Sequence, residues 1–99
     1  MDPIQASDIV LSLAGHDSGK LYLVIRTEGQ QALLADGKVR RLRNPKRKKF
    51  RHLERWGDSP LAEKISGGTI QDSEIRRALG KARAAIMTEE GNKAWQKMM

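Results

Sequence analysis

The sequence predicts a mainly β fold followed by a helical appendage. Three observations lead there. Two apolar alternations, Asp8 to Leu13 and Leu21 to Arg26, have the period of strands. Asp36-Gly37 is a two-residue hairpin signal, because a type I′ turn needs positive φ at both positions. After Trp56-Gly57 the apolar spacing changes to the three-and-four pattern of a helix.

In chain order, the first strand puts Ile9, Leu11 and Leu13 on one face and Asp8, Val10 and Ser12 on the other, so it reads as half-buried. Gly15 to Lys20 is a turn-rich loop. The second strand sets Leu21, Leu23 and Ile25 on one side, with Tyr22 and Val24 implying partial cover on the other. A turn around Gly29 leads to a short third strand, Ala32 to Ala35. The Asp36-Gly37 turn then pairs Leu34 with Val39 and starts a fourth strand at Lys38, with a bulge between Val39 and Leu42. Pro45 breaks or bends that strand, since it has no backbone donor and keeps Asn44 extended. Phe50 to Arg55 fits either a fifth strand or a helical turn. Ser59-Pro60 opens a short helix that Gly67-Gly68 ends. Asp72 or Ser73 caps a longer helix, Glu74 to about Met87, with a stripe of Ile75, Ala78, Leu79, Ala82 and Ile86. Two units follow, residues 1–57 and residues 58–99.

Charge is concentrated. Ten of the eighteen residues from Lys38 to Arg55 are Lys or Arg and only Glu54 is acidic, a net of +9 in a chain whose total is +7. A patch of that density attracts polyanions by counterion release, and nucleic acid is the commonest. Val39, Leu42, Phe50 and Leu53 interrupt the charge with residues that can anchor to a core, which disfavours a merely solvated tail. Lys46, Arg47, Lys48 and Lys49 are expected to project as a loop, so that replacing them with Ala would spare stability and weaken binding.

Other chemistries find little support. Gly15 to Lys20 is one residue short of the phosphate-loop spacing and has Leu21 where a hydroxyl would hold magnesium. His16, Asp17 and Ser18 are adjacent, so they cannot align as nucleophile, base and orienting group. Two histidines without cysteine make a poor metal site. The four aromatics, Tyr22, Phe50, Trp56 and Trp95, are too scattered for a base-stacking platform. Trp56 is expected as a plug rather than a stacking surface. The chain is therefore read as a non-enzyme and a monomer, with no cofactor, metal or small-molecule substrate. It has no signal-peptide pattern and no apolar run of membrane-spanning length, and a cytoplasmic location is expected.

The stretch Asp8 to Ile25, with Gly19 in its loop, resembles the strand–loop–strand of the KOW motif. Leu33 to Lys38 and Asn44 to Leu53 are similar to bacterial KOW-domain RNA-binding proteins, themselves similar to certain archaeal and eukaryotic large-subunit ribosomal proteins. The resemblance covers residues 6–55 closely and the Ile75 to Leu79 helix more loosely. It implies a small five-stranded SH3-like barrel that binds structured, ribosomal RNA and associates with the ribosome. The expected RNA-binding residues are His16, Lys20, Lys38, Arg40, Arg41, Arg43, Lys46, Arg47, Lys48, Lys49, Arg51 and His52. His16 departs from the Lys or Arg that many KOW sequences carry there. Two other readings are a transcription-associated KOW module that contacts duplex DNA or polymerase, and an SH3-like module that binds peptides. The second would want clustered surface aromatics.

Overall fold

The structure is a computed structural model and describes residues 3–85. Five strands form one antiparallel sheet: β1 (Asp8–Ser12), β2 (Leu21–Glu28), β3 (Gln31–Ala35), β4 (Lys46–Lys49) and β5 (Leu53–Asp58). A 3-10 turn at Phe50–His52 joins β4 to β5, and helices α1 (Ala62–Ser66) and α2 (Asp72–Ala85) follow. The strand order is β4-β3-β2-β1-β5.

The expectation of a closed barrel is corrected. The sheet is open, with β4 and β5 as its two edges. Its physical reason lies in the Phe50–His52 turn. The Phe50 amide donates to the Gln30 carbonyl beside the β2–β3 turn, and the His52 carbonyl accepts from Leu13 at the end of β1. These three residues therefore carry the chain from the β2–β3 turn at one end of the sheet to the end of β1, beside the β1–β2 loop, at the other. β5 then runs along β1 instead of folding back on β4.

The fourth strand is also displaced. It starts at Lys46, just after Pro45, and Leu34 faces Lys46 rather than Val39. Asp36 is the cause. Its Oδ1 accepts the amides of Lys38 (2.8 Å) and Arg40 (2.9 Å), while the Asp36 and Gly37 amides both donate to the Arg40 carbonyl. This closes a small loop in place of a two-residue hairpin turn. Leu42 packs toward the core, but Val39 is 79% exposed and anchors nothing. The bulges lie elsewhere, between Ile9 and Val10 against β5 and between Val24 and Arg26 against β3.

Both faces of the sheet are covered, so β1 is buried on both sides rather than on one, with Leu11 alone of its five residues partly exposed. On one face Ile9, Leu21, Leu23 and Ala35 pack with Leu61, Ile75 and Leu79 from the helical segment. On the other, Val10, Tyr22, Val24, Ala32, Leu34 and Leu53 form a second cluster, flanked by Ile4 and Phe50. Leu13 turns outward. Trp56 lies half-buried against the helix-side cluster. The stripe on α2 is seen as expected, with Ile75 and Leu79 buried and Ala78 and Ala82 partly so. Ile86 falls outside the described residues. Gly67 and Gly68 end α1, but Ser59 does not cap it; Leu61 holds that position without a side-chain cap. Nor does Asp72 cap α2. Its Oδ1 accepts the Leu42 amide at 2.9 Å, and Glu74 instead reaches back to the Gln71 amide at 3.1 Å, half of a capping box.

The loop after β3 is thus docked on the start of α2 at closest range through Gly37. Its φ is +79°, and a Cβ there would lie 2.4 Å from the Asp72 carbonyl oxygen. Gly37→Ala is expected to cost about 2–3 kcal/mol, since it adds left-handed backbone strain to a clash with helix backbone. A thermal melt should fall by roughly 10–20 °C; an unchanged melting temperature would mean that the loop can leave the helix freely.

Candidate nucleic-acid interface

The organising group on the loop side of the molecule is Asp17, which sits in the β1–β2 loop and is buried. Two overlapping turns place it there. Ser18 donates to the Gly15 carbonyl, Lys20 to that of Asp17, and Gly19, at φ +89°, donates back to Ser12. The carboxylate thereby points inward rather than to solvent. Ser12 Oγ donates to its Oδ1 at 2.9 Å and Tyr22 Oη to its Oδ2 at 3.3 Å. Lys48 Nζ lies 2.6 Å from Oδ1, and Lys46 Nζ 2.7 Å from Oδ2. Lys48 also donates to the Ala14 carbonyl at 2.6 Å. One carboxylate thus ties β1, β2 and β4 together where the sheet has no closing ladder.

Burial opposes the charge on Asp17, but the hydrogen bonds from Lys46, Lys48 and Ser12 outweigh it and hold the carboxyl well below the usual carboxylate range. The same charge acts on its neighbour. Burial first, then the Asp17 carboxylate, pushes the Tyr22 hydroxyl up to about 12. Tyr22 is the sole tyrosine, so the tyrosinate absorbance of the full chain reports it alone. The expected titration midpoint lies near 12, against about 10 for a free phenol. Because the folded value is raised, Tyr22 supports the fold below pH ~10 and withdraws that support as pH rises between the two values. Asp17→Asn should move the midpoint down; a wild-type midpoint near 10 would place Tyr22 in water.

The tetrad from Lys46 to Lys49 is therefore a strand and not a projecting loop. Its alternation divides four similar cations into two roles. Lys46 and Lys48 face Asp17, with the Lys48 side chain only 10% exposed. Arg47 turns outward and pairs with Glu28, which also pairs with Arg26 at 3.1 Å. The hydrogen bond from Arg47 is the leading reason that Glu28 ionises more readily than usual. Lys49 faces out and has no acidic partner among the described residues.

The remaining expected binding residues are distributed as follows. Lys38, Arg40, Arg41 and Arg43 all lie in the loop between β3 and β4, where Arg41 Nε donates to the Lys38 carbonyl at 3.1 Å. Arg51 is exposed in the 3-10 turn beside the half-buried His52. His16 and Lys20 are exposed on the β1–β2 loop. None of these side chains has a carboxylate partner among the described residues.

The Asp17 network is the feature that sequence reasoning missed. A residue dismissed as part of an accidental His-Asp-Ser run is the anchor of two lysines assigned to RNA. Its signal was available: between Asp8 and Glu28 it is the only acidic residue, set in a loop joining two apolar strands. No helix among the described residues is long and apolar enough to cross a membrane. No protein-family model matches this chain, and no curated protein is significantly similar to it.

Proposed function

We propose that this protein is a non-catalytic RNA-binding protein of the KOW kind, which contacts the phosphates of structured RNA and associates with the ribosome. The observation that carries this reading is the sorting of cations in the basic stretch. Lys46, Arg47 and Lys48 are committed to carboxylates of the fold. Lys38, Arg40, Arg41, Arg43, Lys49 and Arg51 are left without one among the described residues. Unpaired neighbouring cations gain nothing from one another, and a polyanion relieves their repulsion while releasing its own counterions. Four of them precede β4 and the others stand at its far end, so the strand, three rises of ~3.3 Å from Lys46 to Lys49, sets the groups about 10 Å apart along it. Arginine forks suit phosphate and guanine edges, and recognition by shape and phosphate needs no aromatic platform. Ribosomal RNA as the particular ligand rests on the KOW resemblance alone.

The test is crosslinking of the full chain in cells, with sequencing of the attached RNA and gradient sedimentation beside it. Reads concentrated in folded ribosomal segments, with co-sedimentation, are expected. Crosslinks no richer than those of an untagged control would overturn the proposal, and recovery of DNA or polymerase would favour the transcription-associated reading.

A further inference from the structure

A cleft of about 350 Å³ opens between the loop after β3 and the outer side of α2. Four cations from three parts of the chain line it: Lys20 from the β1–β2 loop, Lys38 from the loop after β3, and Arg76 and Arg83 from α2. The one carboxylate is that of Asp36, whose Oδ1 is taken up by the Lys38 and Arg40 amides. Arg76 Nη1 donates to the Gly37 carbonyl at 2.6 Å, so the loop wall and the helix wall stand at a fixed separation before any ligand arrives. Lys20, Lys38 and Arg83 have no acidic partner among the described residues.

The helix side of the cleft has a recognisable construction. Positions 76, 80 and 83 share one face, four and three residues apart. The middle one is Gly80, where an added Cβ would meet nothing within 4 Å. Glycine in a helix interior is unfavourable relative to alanine, and here no packing constraint requires it. Its consequence is bare helix backbone between two arginines about 10 Å apart along the axis, seven residues at ~1.5 Å each. Leu21 and Leu79 contribute apolar surface to the lining, and Val39, the most exposed large apolar residue described, stands at the loop wall. Cations around an apolar lining match a strand of nucleic acid, which offers phosphates to the rim and sugar or base faces to the interior.

We propose that this cleft is a second backbone-binding subsite for RNA, which holds a strand continuing from the Lys38–Arg43 loop onto α2. It rests on the RNA-binding reading above and extends the footprint from the loops to the helix.

The experiment uses the full chain and a fluorescent RNA hairpin, titrated over a range of salt. Lys20→Ala with Arg83→Ala should flatten the slope of log affinity against log salt by roughly 1.4–1.8, two contacts at ~0.7–0.9 each. Gly80→Glu, which puts a carboxylate into open space between the arginines, should weaken binding without lowering the melting temperature. If both variants bind with wild-type affinity and slope while Arg40→Ala, Arg41→Ala and Arg43→Ala together weaken binding, the subsite is refuted and the RNA-binding reading stands. If wild-type protein shows no salt-dependent binding to the hairpin, both fall. Poly-glutamate binding that Lys20→Ala with Arg83→Ala abolishes, beside RNA binding that the same variant leaves at wild-type affinity and slope, would assign the cleft to an acidic protein partner and overturn the proposal.

Discussion

Asp17→Asn is expected to destabilise the protein by about 3 kcal/mol. It leaves Lys48 enclosed without its counter-charge and removes one of the two oxygens that Ser12, Tyr22, Lys46 and Lys48 share. The Lys46 side chain is 29% exposed, so water recovers part of its loss and the figure stays toward the lower end for a buried pair. For a domain of this size that corresponds to a fall of more than 10 °C in melting temperature. The effect also has a pH signature. Because the folded value for Asp17 is depressed, its stabilisation is complete above the ordinary carboxylate range, near pH 4, and is lost as pH falls through the depressed value. The gap between wild type and variant should therefore stay open from neutral pH to about 4 and narrow only below that. Lys46→Ala with Lys48→Ala should reproduce part of the loss, contrary to the expectation that the tetrad is dispensable for stability. Equal melts for wild type and Asp17→Asn at pH 7 would show that the network is not formed in solution.

Replacing Arg40, Arg41, Arg43, Lys49 and Arg51 with Ala should have the opposite profile. No carboxylate of the described residues depends on them, so the melting temperature should hold or rise slightly as repulsion is relieved. RNA affinity should collapse. If each of the five meets one phosphate, the slope of log affinity against log salt flattens by roughly 3.5–4.5, at ~0.7–0.9 per contact. A matched variant of Lys46 and Lys48 separates the two roles: it should melt early yet keep most of the salt slope wherever it remains folded. A five-residue variant with wild-type affinity would move the interface away from this stretch.

How legible the molecule is in its sequence depends on what each element buries. β1 and β2 carry apolar alternation, β3 is a short apolar run between two turn signals, and α2 carries an apolar stripe, so all four can be read from the sequence. β4 cannot. Lys46-Arg47-Lys48-Lys49 has no apolar residue, and its period of two appears only in which carboxylate each cation meets, Asp17 on one side and Glu28 on the other. The Asp36-Gly37 hairpin failed for a related reason: the Asp36 side chain competes with the backbone for the amides of Lys38 and Arg40, and the closeness of Asp72 to Gly37 holds the result in place. Closure of the sheet depended on the path of Phe50–His52 from the β2–β3 turn to the end of β1, which short-range pattern does not encode. Within the candidate interface, composition located the basic stretch but not the division of its cations between fold and surface, because that division is set by two acids 19 to 31 residues away in sequence.

The most direct measurement is a salt titration of the wild-type chain with a folded RNA and with a single-stranded DNA of equal length, under matched conditions. Tighter binding to the folded RNA is expected, with a steep linear fall of log affinity with log salt whose slope of several units is set by the cations that have no carboxylate partner among the described residues. Equal affinity for the two ligands, or an affinity that salt does not change, would contradict the proposed function.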